Sequence, residues 1–127
     1  MNIIEATASA KWARAVYDFT VDGGAVGDIP FRGDGVPLGA IISDVMIDVL
    51  TVVTGASATL AIKLESAADL QSAAAISGAP WSTATPKRAT FTATSTPFKT
   101  TADRRITATV GTANLTAGKI VVWVRYQ

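Results

Sequence analysis

The sequence contains no cysteine and no histidine, which removes the disulfide framework, the nucleophilic thiol, the usual imidazole base and most zinc-ligand sets together. Charge of one sign is also lacking. Eleven Lys and Arg face ten Asp and Glu, a net charge of +1, so no field steers the chain toward phosphate backbones or anionic lipid. Neither nucleic acid nor a membrane is expected as a partner. Long hydrophobic runs are missing: the most apolar stretch, residues 37–53, carries Asp44 and Asp48, each costing about 2.5–3.5 kcal/mol near a bilayer centre. The opening residues Met1-Asn2-Ile3-Ile4-Glu5 have neither the basic n-region nor the apolar h-region of a secretory signal, and synthesis in the cytoplasm is the expectation.

What is present favours sheet. The hydrophobic fraction is 49%, rich in Ala, Val and Ile with Thr interleaved, a mixture suited to pleated, half-buried surfaces. With 127 residues the chain fits one domain spanning 1–127, in which residues 1–11 are a candidate N-terminal arm anchored by Ile3 and Ile4. An ordinary edge strand is the competing account of that segment.

Ala15, Tyr17, Phe19 and Val21 alternate with polar or smaller neighbours before a turn at Asp22-Gly23-Gly24. Residues 33–39 read as a glycine-rich loop. In residues 41–53, Val45, Ile47, Val49 and Val53 share one strand face. Thirteen extended residues would run roughly 43 Å, beyond the ~36 Å diameter of a compact domain of this size, so a bend or bulge is expected near residues 48–51. Residues 58–65 form a further strand, paired with its predecessor as a hairpin. Residues 67–76 are Ala-rich, with Ser66 as N-cap and Gly78 as stop, and predict the one short helix. Ala89, Phe91 and Ala93, then Ile106, Ala108 and Val110, then residues 119–126 complete the strands. The fold class is all-β: an antiparallel β-sandwich or jelly roll of about seven or eight strands in two sheets, with one short helix.

Catalytic and ligand motifs fail on spacing. Asp44 and Asp48 share a strand face but lie about 13 Å apart along it, against about 5–9.5 Å between glycosidase carboxyl groups, so they read as solvated positions and a hydrolase reading built on Asp44 is weak. Asp22-Gly23-Gly24 and Asp34-Gly35 lack the alternating acidic pattern of a calcium loop. Gly33-Asp34-Gly35 lacks the Lys-Ser or Lys-Thr that a phosphate loop requires. The expectation is a protein with no cofactor, no metal and no enzymatic activity.

Binding residues are easier to nominate. In the last strand Ile120, Val122 and Val124 occupy one face while Val121 and Trp123 make the other apolar too, although an antiparallel sheet commonly leaves one face wet. A cover is required: the short helix, residues 1–12, or another subunit. Trp12 and Trp81 serve either as core or as exposed anchors. Of the adjacent basic pairs Lys87-Arg88 and Arg104-Arg105, neighbours in a strand point to opposite faces, so only one arginine of the second pair joins a given surface. The candidate protein-interface residues are Ile3, Ile4, Trp12, Val121, Trp123 and Arg105.

The order of segments resembles small structural proteins of tailed bacteriophages, particularly capsid decoration (cement, head-stabilising) proteins. The likeness rests on Gly35-Val36-Pro37-Leu38-Gly39-Ala40-Ile41-Ile42 leading into a long strand, Thr54-Gly55-Ala56-Ser57-Ala58-Thr59-Leu60-Ala61-Ile62, and Ala67-Ala68-Asp69-Leu70. It continues with Arg104-Arg105-Ile106-Thr107-Ala108-Thr109-Val110 and Leu115-Thr116-Ala117-Gly118-Lys119. This resemblance implies a virion protein on the capsid surface, a homotrimer whose partner is the major capsid protein and which strengthens the shell by bridging its subunits. It transfers no binding residues. The rival expectation is a carbohydrate- or receptor-binding β-sandwich of a phage tail assembly that stacks sugars on Trp81 or Trp12.

Overall fold

The computed structural model describes residues 10–89 and 98–127. Its strands follow the alternation in the sequence. In β1 (Lys11–Asp18), Ala13, Ala15 and Tyr17 are buried between more exposed neighbours. A single turn of helix, α1 (Phe19–Asp22), begins where the Asp18 carboxylate accepts from the Thr20 backbone N–H at 3.0 Å, a side-chain N-cap. There follow β2 (Gly27–Val36), β3 (Ile42–Thr54), β4 (Thr59–Lys63), β5 (Gln71–Ala75), β6 (Pro86–Arg88), β7 (Arg104–Gly111) and β8 (Ala117–Tyr126).

These eight strands, all antiparallel, form one curled sheet in the order β5-β4-β7-β2-β1-β8-β3-β6. The all-β class and strand number match expectation, but a single continuous sheet replaces the two separate ones. It folds on itself at β1 and β2, which pair only at Ala15 with Gly33 and Val16 with Arg32. Gly33 has φ +125°, and a Cβ there would sit 2.5 Å from the Arg14 carbonyl oxygen, so only glycine permits the strands to touch at the fold line. Tyr17 and Phe31 stack beneath it at 5.8 Å, and the Tyr17 hydroxyl donates to the Gly23 carbonyl at 2.6 Å. Burial, with the nearby Asp22 and Asp18 charges, pushes the Tyr17 pKa up to about 12.

The curl brings two inner faces together, as in a sandwich. One half contributes Val45, Ile47 and Val49 of β3 with Ile120, Val122 and Val124 of β8. The other contributes Leu60 and Ile62 of β4 with Ile106, Ala108 and Val110 of β7. Trp81, in the loop after β5, is 0% exposed in this core, and its Nε1–H donates to the Leu60 carbonyl at 3.1 Å.

Several local expectations give way. The glycine-rich stretch at 33–39 lies largely within β2, because β7 pairs with Gly35 and Val36 after an irregularity that begins past Pro30. The first strand ends at Asp18 rather than continuing to Val21. The hairpin between β3 and β4 does not form. β3 instead pairs with β8 and β6, and β4 with β7 and β5, so the turn at Thr54-Gly55-Ala56-Ser57 carries the chain between halves. The helix predicted over 67–76 is absent and β5 takes its place. The Asp69 carboxylate accepts from the N–H groups of Leu64, Glu65 and Ser66 at 2.7–2.9 Å, satisfying a turn in place of a helical start, and Ala68 sits at φ 54°. The predicted irregularity in β3 is present: register shifts lie between Val49 and Thr51 and between Thr51 and Thr54. The strand expected around Phe91 lies outside the described residues.

Candidate interaction surface

Strands β1, β8 and β3 are paired over most of their lengths, and residues directly opposite one another project to the same side. Across the outer face this gives rows. Trp12 lies opposite Arg125, which lies opposite Asp44. Arg14 lies opposite Trp123, then Met46, then Arg88 of β6. Val16 lies opposite Val121, then Asp48. Asp18 and Lys119 close the far end.

Trp12 is 41% exposed, Trp123 is half-buried and Val121 is only 3% exposed. The Arg14 guanidinium carbon lies 5.3 Å from the centroid of the Trp123 ring, a cation–π geometry. Val121, flanked by Val16 and Asp48, is therefore a filler beneath this face with little area to offer. Asp44 accepts from Arg88 at 2.7 Å, while the side chains of Arg14, Arg125 and Lys119 form no ion pair within 4 Å among the described residues; the Arg14 backbone N–H donates to the Asp34 carboxylate at 3.0 Å. Leu50 and Val52, 47% and 37% exposed, project from the irregular end of β3.

The outer face of β4, β7 and β2 has a different chemistry. Lys63 Nζ reaches Asp28 at 2.6 Å and the Thr109 hydroxyl donates to the same carboxylate at 2.9 Å. Those two hydrogen bonds, Lys63 first, hold the Asp28 carboxyl below its usual range. Arg32 pairs with Asp22 at 2.9 Å. Beyond the end of β4, Glu65 receives a two-pronged Arg104 contact at 2.9 and 3.0 Å, with Thr101 adding its backbone N–H and hydroxyl. The Arg104 bonds, then those of Thr101, bring the Glu65 pKa down to about 2.

Of the nominated interface residues, Trp12, Trp123 and Val121 come together on one face. Arg105 does not join them: it lies on β7 and donates to the Phe31 carbonyl at 2.8 Å, beside a cleft of about 480 Å³ lined also by Val36, Asp103 and Tyr126. As expected, Arg104 and Arg105 make separate contacts. Ile3 and Ile4 lie outside the described residues. Trp81 is a core residue, which removes it as a sugar-stacking platform. Sequence reasoning missed Arg14, Arg125 and Met46. A signal for the arginines existed, since Trp12-Ala13-Arg14 and Trp123-Val124-Arg125 repeat a Trp-x-Arg spacing that puts both residues on one strand face.

No protein-family model matches the chain, and no curated protein matches it in sequence. Among solved structures it is similar to a chain of the acidic stable capsid structure of Helicobacter pylori bacteriophage KHP30. The TM-score is 0.62 at 16% identity, over 94% of this chain and 87% of that one. It is also similar to a chain of the cyanophage Pam1 capsid asymmetric unit, with a TM-score of 0.62 at 20% identity, over 99% of this chain and 96% of that one. The likeness in each case spans nearly the whole chain, and the protein shares its fold with chains of two phage capsid structures.

Proposed function

We propose that this protein is a non-catalytic virion component that binds the outer surface of an assembled phage capsid and stabilises it by bridging major capsid protein subunits, working as a homotrimer. The observation that carries this reading is the likeness, over 94% and 99% of its length, to chains of two phage capsid structures. The outer face of β1, β8 and β3 supplies the means, because exposed Trp and Arg are the residue types that anchor protein interfaces.

The mechanism requires only binding. A protein that engages the assembled shell and not its separated subunits stabilises the shell by mass action, by about 2.7 kcal/mol per site at a free concentration of 100 times Kd. A trimer that engages neighbouring subunits converts its second and third contacts into intramolecular ones, which raises avidity without new chemistry.

The test combines light scattering with co-sedimentation on phage heads that lack this protein. The reading expects a trimer mass and saturable, lattice-related binding that raises the temperature at which heads release DNA. A monomer that stays in the supernatant would overturn it. Glycan binding is favoured only by the exposure of Trp12 beside Trp123, and expects sugar-dependent attachment that Trp12→Ala abolishes.

A further inference from the structure

Trp12 and Arg14 are alternate residues of β1, Trp123 and Arg125 alternate residues of β8, and the register sets Trp12 against Arg125 and Arg14 against Trp123. The result is a square in which indole and guanidinium alternate in both directions. The two arginines occupy a diagonal whose backbone positions are about 7–8 Å apart. Both are exposed, and neither guanidinium forms an ion pair among the described residues; the Asp34 carboxylate beside Arg14 is taken by the Arg14 backbone N–H at 3.0 Å, and Asp44, opposite Arg125, is taken by Arg88. Arg88, beyond Met46 in the row of Trp123, adds a third cation to the same face, already engaged by Asp44. At the opposite end of the same face stand Asp18 and Asp48 with Lys119. The face is thus cationic at the start of β1 and slightly acidic at its end.

We infer that this square is the contact point for carboxylate side chains of a partner protein, its two arginines spaced for a pair of acidic residues that alternate along an extended segment, about 7 Å apart. The inference rests on the capsid-binding reading and names the chemistry of the surface bound there. Charge complementarity selects the occupant. Exposed guanidinium groups take carboxylates in two-pronged bonds, and the Trp faces shield those bonds from water. A long polyanion such as nucleic acid or sulfated sugar would meet Asp48 and Asp18 farther along the same face, and a neutral glycan would leave both arginines unanswered.

The decisive experiment compares wild type, R14Q/R125Q and the charge-matched control K63Q/R104Q, whose substitutions lie on β4 and β7. Each is sedimented with heads lacking this protein at rising NaCl, and each is titrated by Trp fluorescence with poly-L-glutamate, heparin and a neutral oligosaccharide. Thermal unfolding confirms that all three fold. The expected result is head binding that weakens with salt and falls at least tenfold in R14Q/R125Q but less than twofold in the control, with poly-L-glutamate quenching lost in the same variant. Head binding within twofold of wild type in R14Q/R125Q would overturn the inference and leave capsid binding standing. If wild type ignores heads, capsid binding fails and poly-L-glutamate decides. Quenching that depends on the two arginines supports an acidic protein partner of another origin, and its absence overturns the inference. Tighter binding of heparin or the neutral sugar than of poly-L-glutamate also overturns it.

Discussion

The outer faces of the two halves of the sheet sit on matching inner faces of Val, Ile, Leu and Ala, yet they handle water in opposite ways. On β4, β7 and β2 the charged groups answer one another: Lys63 and Thr109 meet on Asp28, and Arg32 meets Asp22. That face can stay wet. On β1, β8 and β3 an apolar row of Val16 and Val121 lies next to Trp123 and Met46, and the guanidinium groups of Arg14 and Arg125 form no ion pair among the described residues. Apolar and unpaired cationic groups side by side on an outer face are the composition of a contact surface, and the proposed capsid binding would use this difference.

The comparison can be broken most forcefully at Val121. Although it points outward, Val121→Asp would place a charge in a site that is 3% exposed and beside Asp48, with an expected cost of about 3 kcal/mol in urea unfolding. The matching change on the other face, Thr109→Asp, also meets a carboxylate, Asp28, but at a half-buried site with Lys63 beside it, and is expected to cost about 1–2 kcal/mol. Equal midpoints for the two variants would show that the faces do not differ. Next in size is Trp12→Ala, which should leave the unfolding midpoint within about 1 kcal/mol of wild type while weakening attachment to phage heads at least tenfold. A loss of stability without loss of attachment would make Trp12 a packing residue.

Lys63→Ala sharpens the contrast from the polar side. Its ion pair with Asp28 is partly exposed, and such pairs contribute about 0–1 kcal/mol, so a small stability change with unaltered head binding is expected. The smallest effect concerns acid. The Glu65 pKa falls from 4.5 to about 2 on folding, so between those values the unfolded chain binds more protons and stability rises with pH. The contribution is complete above about pH 4.5 and disappears as the pH falls through about 2. Glu65→Gln should flatten the stability profile in that window and leave it unchanged in shape near neutrality. An unaltered acid slope would mean that Arg104 does not hold the carboxylate in solution.

Alternation alone located the long strand β3, the last two strands and the outward placement of Trp123 beside Val121, because the period of two is a property of the extended backbone and survives any topology. Length against domain size located the irregularity near Thr51. Composition accounts for the all-β class. Residues 67–76 went the other way: an Ala-rich segment has helical propensity in isolation, but the Asp69 turn and pairing with β4 outweigh it. Trp12 and Trp81 look equivalent in sequence. Only the tertiary structure assigned one to the surface and the other to the core, since burial depends on which strand edge the loop after β5 crosses.

Amino-acid order by itself determined the sheet class, the apolar faces of the principal strands and the lack of histidine or thiol chemistry, all of which are local or compositional. The single curled sheet, the failure of β3 and β4 to pair, and the square formed by Trp12, Arg14, Trp123 and Arg125 were decided only by tertiary structure. Antiparallel pairing of β1 with β8 joins residues more than a hundred positions apart, and register between such distant strands is fixed by the packing of the whole core, which no local window contains.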